Sequence, residues 1–459
     1  MILLLSLLPS SIAASLDNLE IGGPWGSPTA TDGSAAWWNP GSVAAGKGTR
    51  LLLEGAPTFA TISFDRADPA GGEDKLSLVG AVPFVGLATD AGVKGLGLSL
   101  TLAVPFVRGG NEVSEPGPGS YHLRQGMVQG IYLMAGGGWN FFDRVSVGAM
   151  GGVLRSSWKA RVDNDTMVLL SDAITAMGED AGYTDDMLEN SDYAATLDFD
   201  NLSDTRFVWS AGIRAQPIDR LSVGVAWIAG AAVENTGRTK IAFGCPPQSD
   251  TTGRFGAESY GICDVTMDAD AMVGYTLPSR LHGGIGVELT PAVHLEVMAG
   301  WVRWSQFKDY KIVISGVDTY NELSKPETAD LVNQTRLWAR ENHDSGWGAI
   351  DVKGRLSWVT LGGRVLYDLA AVPDKAMSLN NYDANELILT GLVAGDPWKP
   401  LTIGSSGSYH VVATREVSTS GFGVTLGEER NEDRWFYPHA NGTYSGSIFR
   451  LGVQAKVEL

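Results

Sequence analysis

The feature that most constrains this chain is a strict two-residue alternation at its C-terminus. Polar residues or glycine separate six apolar residues over eleven positions: Phe449, Leu451, Val453, Ala455, Val457 and Leu459. Successive side chains of a β-strand point to opposite faces, so this strand has one apolar face and one polar face. Eleven residues exceed the ~5–6 of an ordinary strand. They match the ~9–11 that cross a membrane as a tilted strand, so the pattern favours a transmembrane β-barrel.

The same alternation recurs along the chain and predicts further strands. His294 and Glu296 fall on the polar face of one copy, where lipid would exclude them but a wet lumen would accommodate them. We therefore predict an all-β fold, a transmembrane antiparallel β-barrel of about fourteen strands, with twelve or sixteen left open. The predicted strands are 51–64, 75–88, 94–107, 121–140, 145–161, 206–216, 220–242, 266–289, 293–315, 352–369, 376–392, 399–412, 416–427 and 444–459.

Composition supports a barrel and excludes several other classes of protein. Glycine supplies 58 of the 459 residues and charged residues only 19%, whereas ~7% glycine and ~25% charged residues are usual. The net charge of −18 disfavours nucleic acid as a partner, because phosphates are bound by basic surfaces. Two cysteines and six histidines, without HExxH or CxxC spacing, give no basis for a metal site. No run approaches the ~18 apolar residues of a membrane-spanning helix.

The N-terminal fifty residues precede the first predicted strand. Residues 1–15 combine an apolar run, a proline and small residues, which predicts a secretory signal peptide, with a short buried helix as the alternative. Residues 16–50 lack strand periodicity and form either a flexible periplasmic tail or a hatch folded into the lumen. A fourteen-strand barrel encloses more volume than its own side chains fill, so residues 16–50 could occupy that space. The barrel itself is predicted over 51–459.

The connections between strands fall into two length classes. Four are short: 140–144, 217–220, 290–294 and 370–375. Four are long: 164–203, 244–265, 316–351 and 428–441. Short turns on one rim and long loops on the other are typical of outer-membrane barrels. The long loops are therefore predicted to be extracellular.

Four segments, in the same order along the chain, resemble those of the FadL-type long-chain fatty acid and hydrocarbon transporters. Residues 32–44 (DGSAAWWNPGSVA) resemble the hatch motif around its Asn-Pro pair, here Asn39, Pro40 and Gly41. The remaining segments resemble the third strand, a turn with a tryptophan-bearing strand, and the closing motif: 102–107, 289–308 and 441–444. One departure is that the family usually ends in an aromatic residue, whereas this chain ends in Leu459. The resemblance implies a fourteen-stranded barrel with an N-terminal hatch.

The resemblance also implies a function. Such proteins pass long-chain fatty acids, or in some branches aromatic hydrocarbons, across the bacterial outer membrane without a cofactor. Ligand is captured by the third and fourth extracellular loops, moves to an inner site, and leaves sideways through the wall when the hatch rearranges. Outer-membrane lipid, lipopolysaccharide and the barrel-assembly machinery are the further implied partners, and the implied oligomeric state is a monomer.

The third long loop carries the candidate capture surface. Met167, Leu170, Ile174 and Met177 recur at helical spacing and form one apolar face of an amphipathic helix. This face either packs on the barrel rim or holds acyl chains, for which methionine is well suited because it adapts to varied apolar shapes. The many acidic residues of this loop could bind divalent cations shared with lipopolysaccharide or simply solvate the loop. No EF-hand spacing supports a specific calcium site.

Two further pairs are candidates for a structural or ligand-binding role. Cys245 and Cys263 lie in the fourth long loop, and in an exported protein we expect a disulfide between them, with free thiols as the alternative. Trp37 and Trp38 of the hatch either anchor it to the lumen wall or contact a passing ligand. A fatty acid would need a cation for its carboxylate, and four luminal or hatch cations are candidates: Lys47, Arg50, Arg214 and Arg364.

Other function classes are weaker alternatives. A general porin for small polar solutes would not need an N-terminal plug, and a surface adhesin or receptor would use the acidic loops. A barrel hydrolase would draw on His282, His294 and Glu296, but no GxSxG elbow is present. The sequence therefore predicts a transporter and not an enzyme.

Overall fold

The computed structural model describes residues 17–67, 71–110, 117–165, 194–244, 266–317, 335–422 and 439–459. Several sequence predictions lie outside these ranges and stay predictions. They are the signal peptide, the helical face from Met167 to Met177, and the pairing of Cys245 with Cys263.

The described residues form nineteen strands in one antiparallel sheet. The strands are β1 Thr49–Arg66, β2 Glu73–Thr89, β3 Leu96–Gly110, β4 Gln125–Phe141, β5 Val145–Asp165, β6 Ala194–Ile218, β7 Leu221–Ile228, β8 Ala231–Phe243, β9 Thr266–Leu277, β10 Arg280–Thr290, β11 Val293–Val302, β12 Asp309–Ser315, β13 Thr335–Ala339, β14 Ser345–Leu356, β15 Val359–Asp368, β16 Glu386–Trp398, β17 Leu401–Val412, β18 Arg415–Val417 and β19 Gly442–Glu458. The pairs β7/β8, β9/β10, β11/β12 and β13/β14 each occupy one position in the wall, and three-residue β18 adds only to the top of β19. The wall thus has fourteen positions, which confirms the predicted barrel.

The barrel closes where the first strand meets the last. β1 pairs with β19 from Arg50–Glu458 to Arg66–Gly442. Beyond that ladder, the Thr49 amide donates to the Leu459 carbonyl (3.0 Å) and the Leu459 amide donates to the Thr49 carbonyl (2.8 Å). The alternation that defined β19 is preserved, since Val453 is 60% exposed on the outer surface and Gln454 is 1% exposed in the lumen. None of the helices in the described part of the chain is long and apolar enough to span a membrane.

One rim has short turns and the other long connections, as predicted, but two assignments were wrong. Predicted strand 416–427 is not a wall strand, because β17 pairs directly with β19 and, of its described residues, only Glu416 and Val417 are in strand. Predicted strand 352–369 is two strands, β14 and β15, joined by a two-residue turn at Ser357 and Trp358. Ser357 takes a left-handed conformation (φ 59°) that is usually given to glycine or asparagine, so the turn carries no sequence signal. Because of this extra reversal, residues 370–375 belong to the long-connection rim and not to the short-turn rim.

Other boundaries differ where strands rise above the apolar band. β6 begins at Ala194, inside predicted loop 164–203, and β13 and part of β14 lie inside predicted loop 316–351. These extensions carry buried apolar residues such as Phe199, Leu202 and Trp347 among polar neighbours. Three predicted strands are interrupted, at 229–230, 278–279 and 303–308. Of predicted strand 376–392, residues 376–385 are instead an irregular segment with two 3₁₀ turns, Asp374–Ala376 and Leu379–Asn381.

Candidate functional site

The described N-terminal segment, residues 17–48, lies inside the barrel. It contains one 3₁₀ turn and two short helices, α1 Ala35–Trp38 and α2 Pro40–Val43, and most of its residues are buried. Asn39 separates the two helices in an extended conformation, and its Oδ1 accepts a hydrogen bond from the Gly41 amide (2.9 Å). Pro40 occupies the first helical position, where its missing N–H is not needed. The Asn39-Pro40-Gly41 motif is therefore a helix cap that starts α2.

The same motif fixes the segment to the wall. Asn39 Nδ2 donates to the carbonyl oxygens of Pro28 (2.9 Å) and Ile213 (3.1 Å). A Cβ at Gly41 would lie 2.7 Å from the Gly212 carbonyl oxygen on β6. Glycine is required here because the two backbones are in direct contact.

Trp37 and Trp38 have the contacts of anchors, the first of their two interpretations. Trp37 meets Tyr132 of β4 edge-on, with ring centroids 5.6 Å apart. Trp38 Nε1 donates to the Ile21 carbonyl (2.8 Å), and its own carbonyl hydrogen-bonds to His282 Nε2 on β10. Both indoles are almost fully buried.

Charged side chains of the wall hold the segment at several points. Glu20 lies 3.1 Å from His410 Nε2 and 3.4 Å from Arg450 Nη1. Of the four predicted cations, Arg50 donates to the Val43 carbonyl, Arg214 to that of Thr29 and Arg364 to that of Gly26 (3.0, 3.2 and 2.8 Å): these three support the N-terminal segment. The fourth, Lys47, is exposed.

β3 separates from β2 halfway up the wall. The two strands pair only between Val85–Thr89 and Leu98–Leu102. Past the Val85–Leu102 pair they no longer pair, although β2 extends back to Glu73 and β3 extends on to Gly110. β3 also carries one extra residue relative to β4 between Ala103 and Phe106. Such a bulge bends a strand and re-aims its side chains. Phe106, which the alternation placed on the same face as Leu98 and Leu100, is turned into the lumen and is 1% exposed.

The start of the N-terminal segment lies against this bend. The Asn18 amide donates to the Pro105 carbonyl (2.8 Å), and Asp17 forms a bridge with Phe106. Asp17 Oδ1 lies 2.9 Å from Arg280 Nη2, and the Arg280 guanidinium lies over the Phe106 ring at 4.6 Å. The segment therefore occupies the point where the wall separates.

Above the bend lies an aromatic pocket. Trp304 contacts Phe106 edge-on (6.1 Å between centroids) and links the bend to the pocket. Around it are Trp158, Phe307 and Tyr310. The Tyr310 ring lies 6.0 Å from that of Trp158 and 5.0 Å from that of Phe307, and the Phe307 ring lies 6.5 Å from that of Trp304. The free volume is about 50 Å³. A cavity of ~150 Å³ binds benzene, so side chains must move before a ligand fits.

Two arginines give this pocket a positive wall. Arg340 lies over the ring of Tyr310 (4.3 Å), and burial lowers the pKa of its guanidinium below the ordinary value. Arg108 of β3 lines the same pocket and donates to the carbonyls of Leu379 (2.6 Å) and Tyr382 (3.0 Å). Within the described residues neither guanidinium has a carboxylate within ion-pair distance. Both guanidiniums are hydrogen-bonded to neutral oxygens, and the Asp383 carboxylate lines the same pocket.

Sequence reasoning missed both arginines. Arg108 follows Phe106 by two residues, so a correct side assignment past the bulge would have placed it in the lumen. Arg340 follows the short strand β13 inside a predicted loop and had no comparable signal. No three His, Cys, Asp or Glu residues of the described ranges are grouped to hold a metal ion.

No protein-family model and no curated protein match the sequence. Solved structures do match the fold. A Pseudomonas aeruginosa FadL homologue aligns over 98% of each chain with a TM-score of 0.73 and 16% identity. The chain has the FadL-type fold. The Pseudomonas putida toluene transporter TodX covers 98% of each chain (TM-score 0.62, 14% identity). The Ralstonia pickettii toluene transporter TbuX covers 96% of this chain and 99% of its own (TM-score 0.60, 15% identity). At these identities the likeness establishes the FadL-type fold, which the sequence resemblance had implied.

Proposed function

We propose that this FadL-type barrel passes hydrophobic compounds with an anionic head group, long-chain fatty acids above all, across the bacterial outer membrane. The observation that carries the proposal is the Arg108–Arg340 pair, which lines a pocket rich in aromatic and aliphatic side chains and is hydrogen-bonded to neutral oxygens, although Asp383 also lines the pocket. An aromatic hydrocarbon would use the rings but would form no charge-assisted hydrogen bond with either guanidinium. A fatty acid satisfies both halves of the pocket, since its carboxylate matches the guanidinium fork.

The route we infer runs from the pocket past Trp304 and Phe106 to the gap between β2 and β3. The N-terminal segment closes this route through Asp17 and Asn18 and therefore acts as the gate. Release would be sideways, because the gap lies in the wall and not at the base of the barrel. Residues 17–48 occupy the lumen, and this argues against the general-porin alternative, which needs an open polar channel. The process is passive and involves no catalysis, in keeping with channels as structural neighbours.

Uptake of labelled oleate tests the proposal in cells that lack their own fatty acid transporter. We expect wild-type chain to restore uptake and Arg108→Gln or Arg340→Gln to reduce it roughly tenfold or more, the effect of a lost charge-assisted hydrogen bond worth ~1.5–3 kcal/mol. Arg355→Gln is the matched control, because Arg355 is exposed and pairs with Asp396 on the short-turn rim. Equal oleate uptake by all four proteins contradicts the anion site.

Toluene passage is the second arm of the same test, since TodX and TbuX are described as toluene transporters. Toluene passage without oleate uptake would assign the channel to aromatic hydrocarbons instead. Passage of small sugars alone would support the porin alternative.

The lateral route has a separate test. Deleting Pro105 removes the extra residue of β3 and lets β3 follow β4 in register, with β2 able to pair beyond Val85. We expect oleate uptake to fall to background while oleate still binds the detergent-solubilised barrel. Unchanged uptake would exclude the β2–β3 gap as the exit.

A further inference from the structure

The connection between β15 and β16, residues 370–385, folds down into the barrel mouth instead of standing above the rim. We call it the inner loop. Met377, Leu379 and Tyr382 are at most 1% exposed, and Tyr382 stacks on Tyr444 of β19 with ring centroids 5.8 Å apart. The apolar side chains of the inner loop therefore form part of the core inside the mouth.

Its four central residues supply the acceptors of the arginine pair. Arg108 donates to the carbonyl oxygens of Leu379 and Tyr382, and Arg340 donates to the Asn380 carbonyl (3.1 Å) and to Asn381 Oδ1. All four acceptors are neutral amide oxygens. A carboxylate offers two charged acceptors on one planar group, and charge-assisted hydrogen bonds are roughly twice as strong as neutral ones. The inner loop thus occupies the arginines with bonds that a carboxylate would replace by stronger ones.

The base of the inner loop is held by other residues. Arg415 donates to the carbonyls of Val372 and Asp383 (both 2.8 Å) and pairs with Asp374. Asp383 Oδ2 accepts hydrogen bonds from the amides of Ala371 (2.5 Å) and Val372 (3.2 Å). These bonds join the two ends of the loop without using the arginine pair. They therefore add to the stability of the closed loop independently of Arg108 and Arg340.

We propose that residues 379–382 of the inner loop are a built-in competitor for the ligand head group, which an incoming carboxylate displaces from Arg108 and Arg340. The inference rests on the proposed function, because it assumes that an anionic ligand reaches this pocket. In this proposal the inner loop is the element that moves when the small pocket enlarges. The loop then also has a role in selection, since a neutral ligand has nothing to exchange for the four carbonyl bonds.

Hydrogen exchange of the full chain in detergent tests the displacement directly. Oleate and oleyl alcohol are the two probes, because they share a chain and differ in head-group charge. We expect saturating oleate to accelerate amide exchange in peptides covering 376–383 and oleyl alcohol to leave it unchanged. Slower exchange or no change with bound oleate would overturn the proposal.

A variant gives a second measurement. Arg415→Ala removes the hydrogen bonds to the carbonyls of Val372 and Asp383 at the base of the inner loop and leaves Arg108 and Arg340 in place. A larger fraction of molecules is then open, and oleate should bind roughly three- to tenfold more tightly. Arg355→Ala is the control, and folding of both is checked by heat-modifiable migration in electrophoresis. Unchanged affinity in a folded Arg415→Ala protein also counts against the proposal.

The two levels of inference fail differently. If Arg108→Gln weakens oleate binding but exchange in the inner loop does not respond, the proposed function stands and the competitor role is wrong. If oleate does not bind at all, the anion site itself is wrong.

Discussion

Glu20 is the residue of the N-terminal segment with the most charged partners. Its carboxylate contacts His410 and Arg450 and accepts hydrogen bonds from Thr390 and Ser408, all on the inner wall. His410 in turn contacts Glu386 through its other ring nitrogen (2.9 Å). A buried charge with this many partners is favourable only while every partner is in place. Glu20 therefore joins the segment to the wall at one well-defined point.

Glu20→Gln should release the segment locally. Removing one member of a buried ion pair typically destabilises by ~3–5 kcal/mol, so we expect faster amide exchange in residues 17–30. Glu73→Gln, in an exposed pair with Lys75, should have no such effect. Equal exchange in the two variants would show that Glu20 does not hold the segment.

Asp383 makes the inner loop sensitive to pH. Burial raises the pKa of its carboxyl to about 6, and the nearby Glu386 adds to the rise. The charged form is disfavoured in the folded loop, so stability is gained as the pH falls through 6 and is complete below about 4, where the unfolded chain also binds the proton. Amide exchange in 370–385, corrected for its intrinsic pH dependence, should slow between pH 7 and 5. Asp383→Asn should abolish this change, and an unaltered pH dependence in that variant would assign it to another group.

At the scale of elements, alternation predicted the membrane band of the wall well. β1, β5 and β19 were recognised because lipid and lumen impose opposite chemistry on successive residues. The rest could not be read in this way. One extra residue in β3 placed Phe106 on the opposite face from the one that alternation predicts. The turn at Ser357 uses a left-handed backbone conformation that a serine in the sequence does not indicate. The inner loop was taken for a strand because a segment buried in the mouth is as apolar as one in the wall.

Of the candidate site, the N-terminal motif could be predicted from the sequence, but the arginine pair could not. The Asn39-Pro40-Gly41 motif is local, so its cap could be recognised from sequence. The proposed anion site combines Arg108 of β3, Arg340 beyond β13 and carbonyls of residues 379–382, groups that only the closed barrel brings together. Every residue has a backbone carbonyl, so the sequence does not indicate which carbonyls will accept these hydrogen bonds.

The contact between α2 and the wall depends on missing side chains. Gly41→Ala places a Cβ 2.7 Å from a β6 carbonyl, so backbone must shift and α2 should leave its position. We expect residues 35–48 to become accessible to added protease in the folded barrel. Gly391→Ala on β16 is the control, because no atom lies within 4 Å of its added Cβ. Similar digestion of both variants would contradict a tight contact at Gly41.

At the scale of the whole molecule, the barrel and its N-terminal segment are separable. The strand ladder is complete without residues 17–48, whereas those residues are held to the wall by side chains such as Arg214, Arg364 and Arg450, in addition to hydrogen bonds within the segment. Deleting 17–48 should leave a barrel with heat-modifiable migration and raise its single-channel conductance in planar bilayers several-fold, since the polar lumen then fills with water. Unchanged conductance would mean that the segment does not obstruct the lumen.

The seam between β1 and β19 has a consequence for biogenesis. It pairs residues about four hundred positions apart. Until β19 has been synthesised and paired, the edge of β1 stays open and can add strands from other chains. Residues 17–48 precede β1 yet end up enclosed, so they must be in place before the seam closes or thread into a finished cylinder afterwards. Enclosure first is the simpler order, and it makes pairing of the last strand the step that commits the N-terminal segment to the interior.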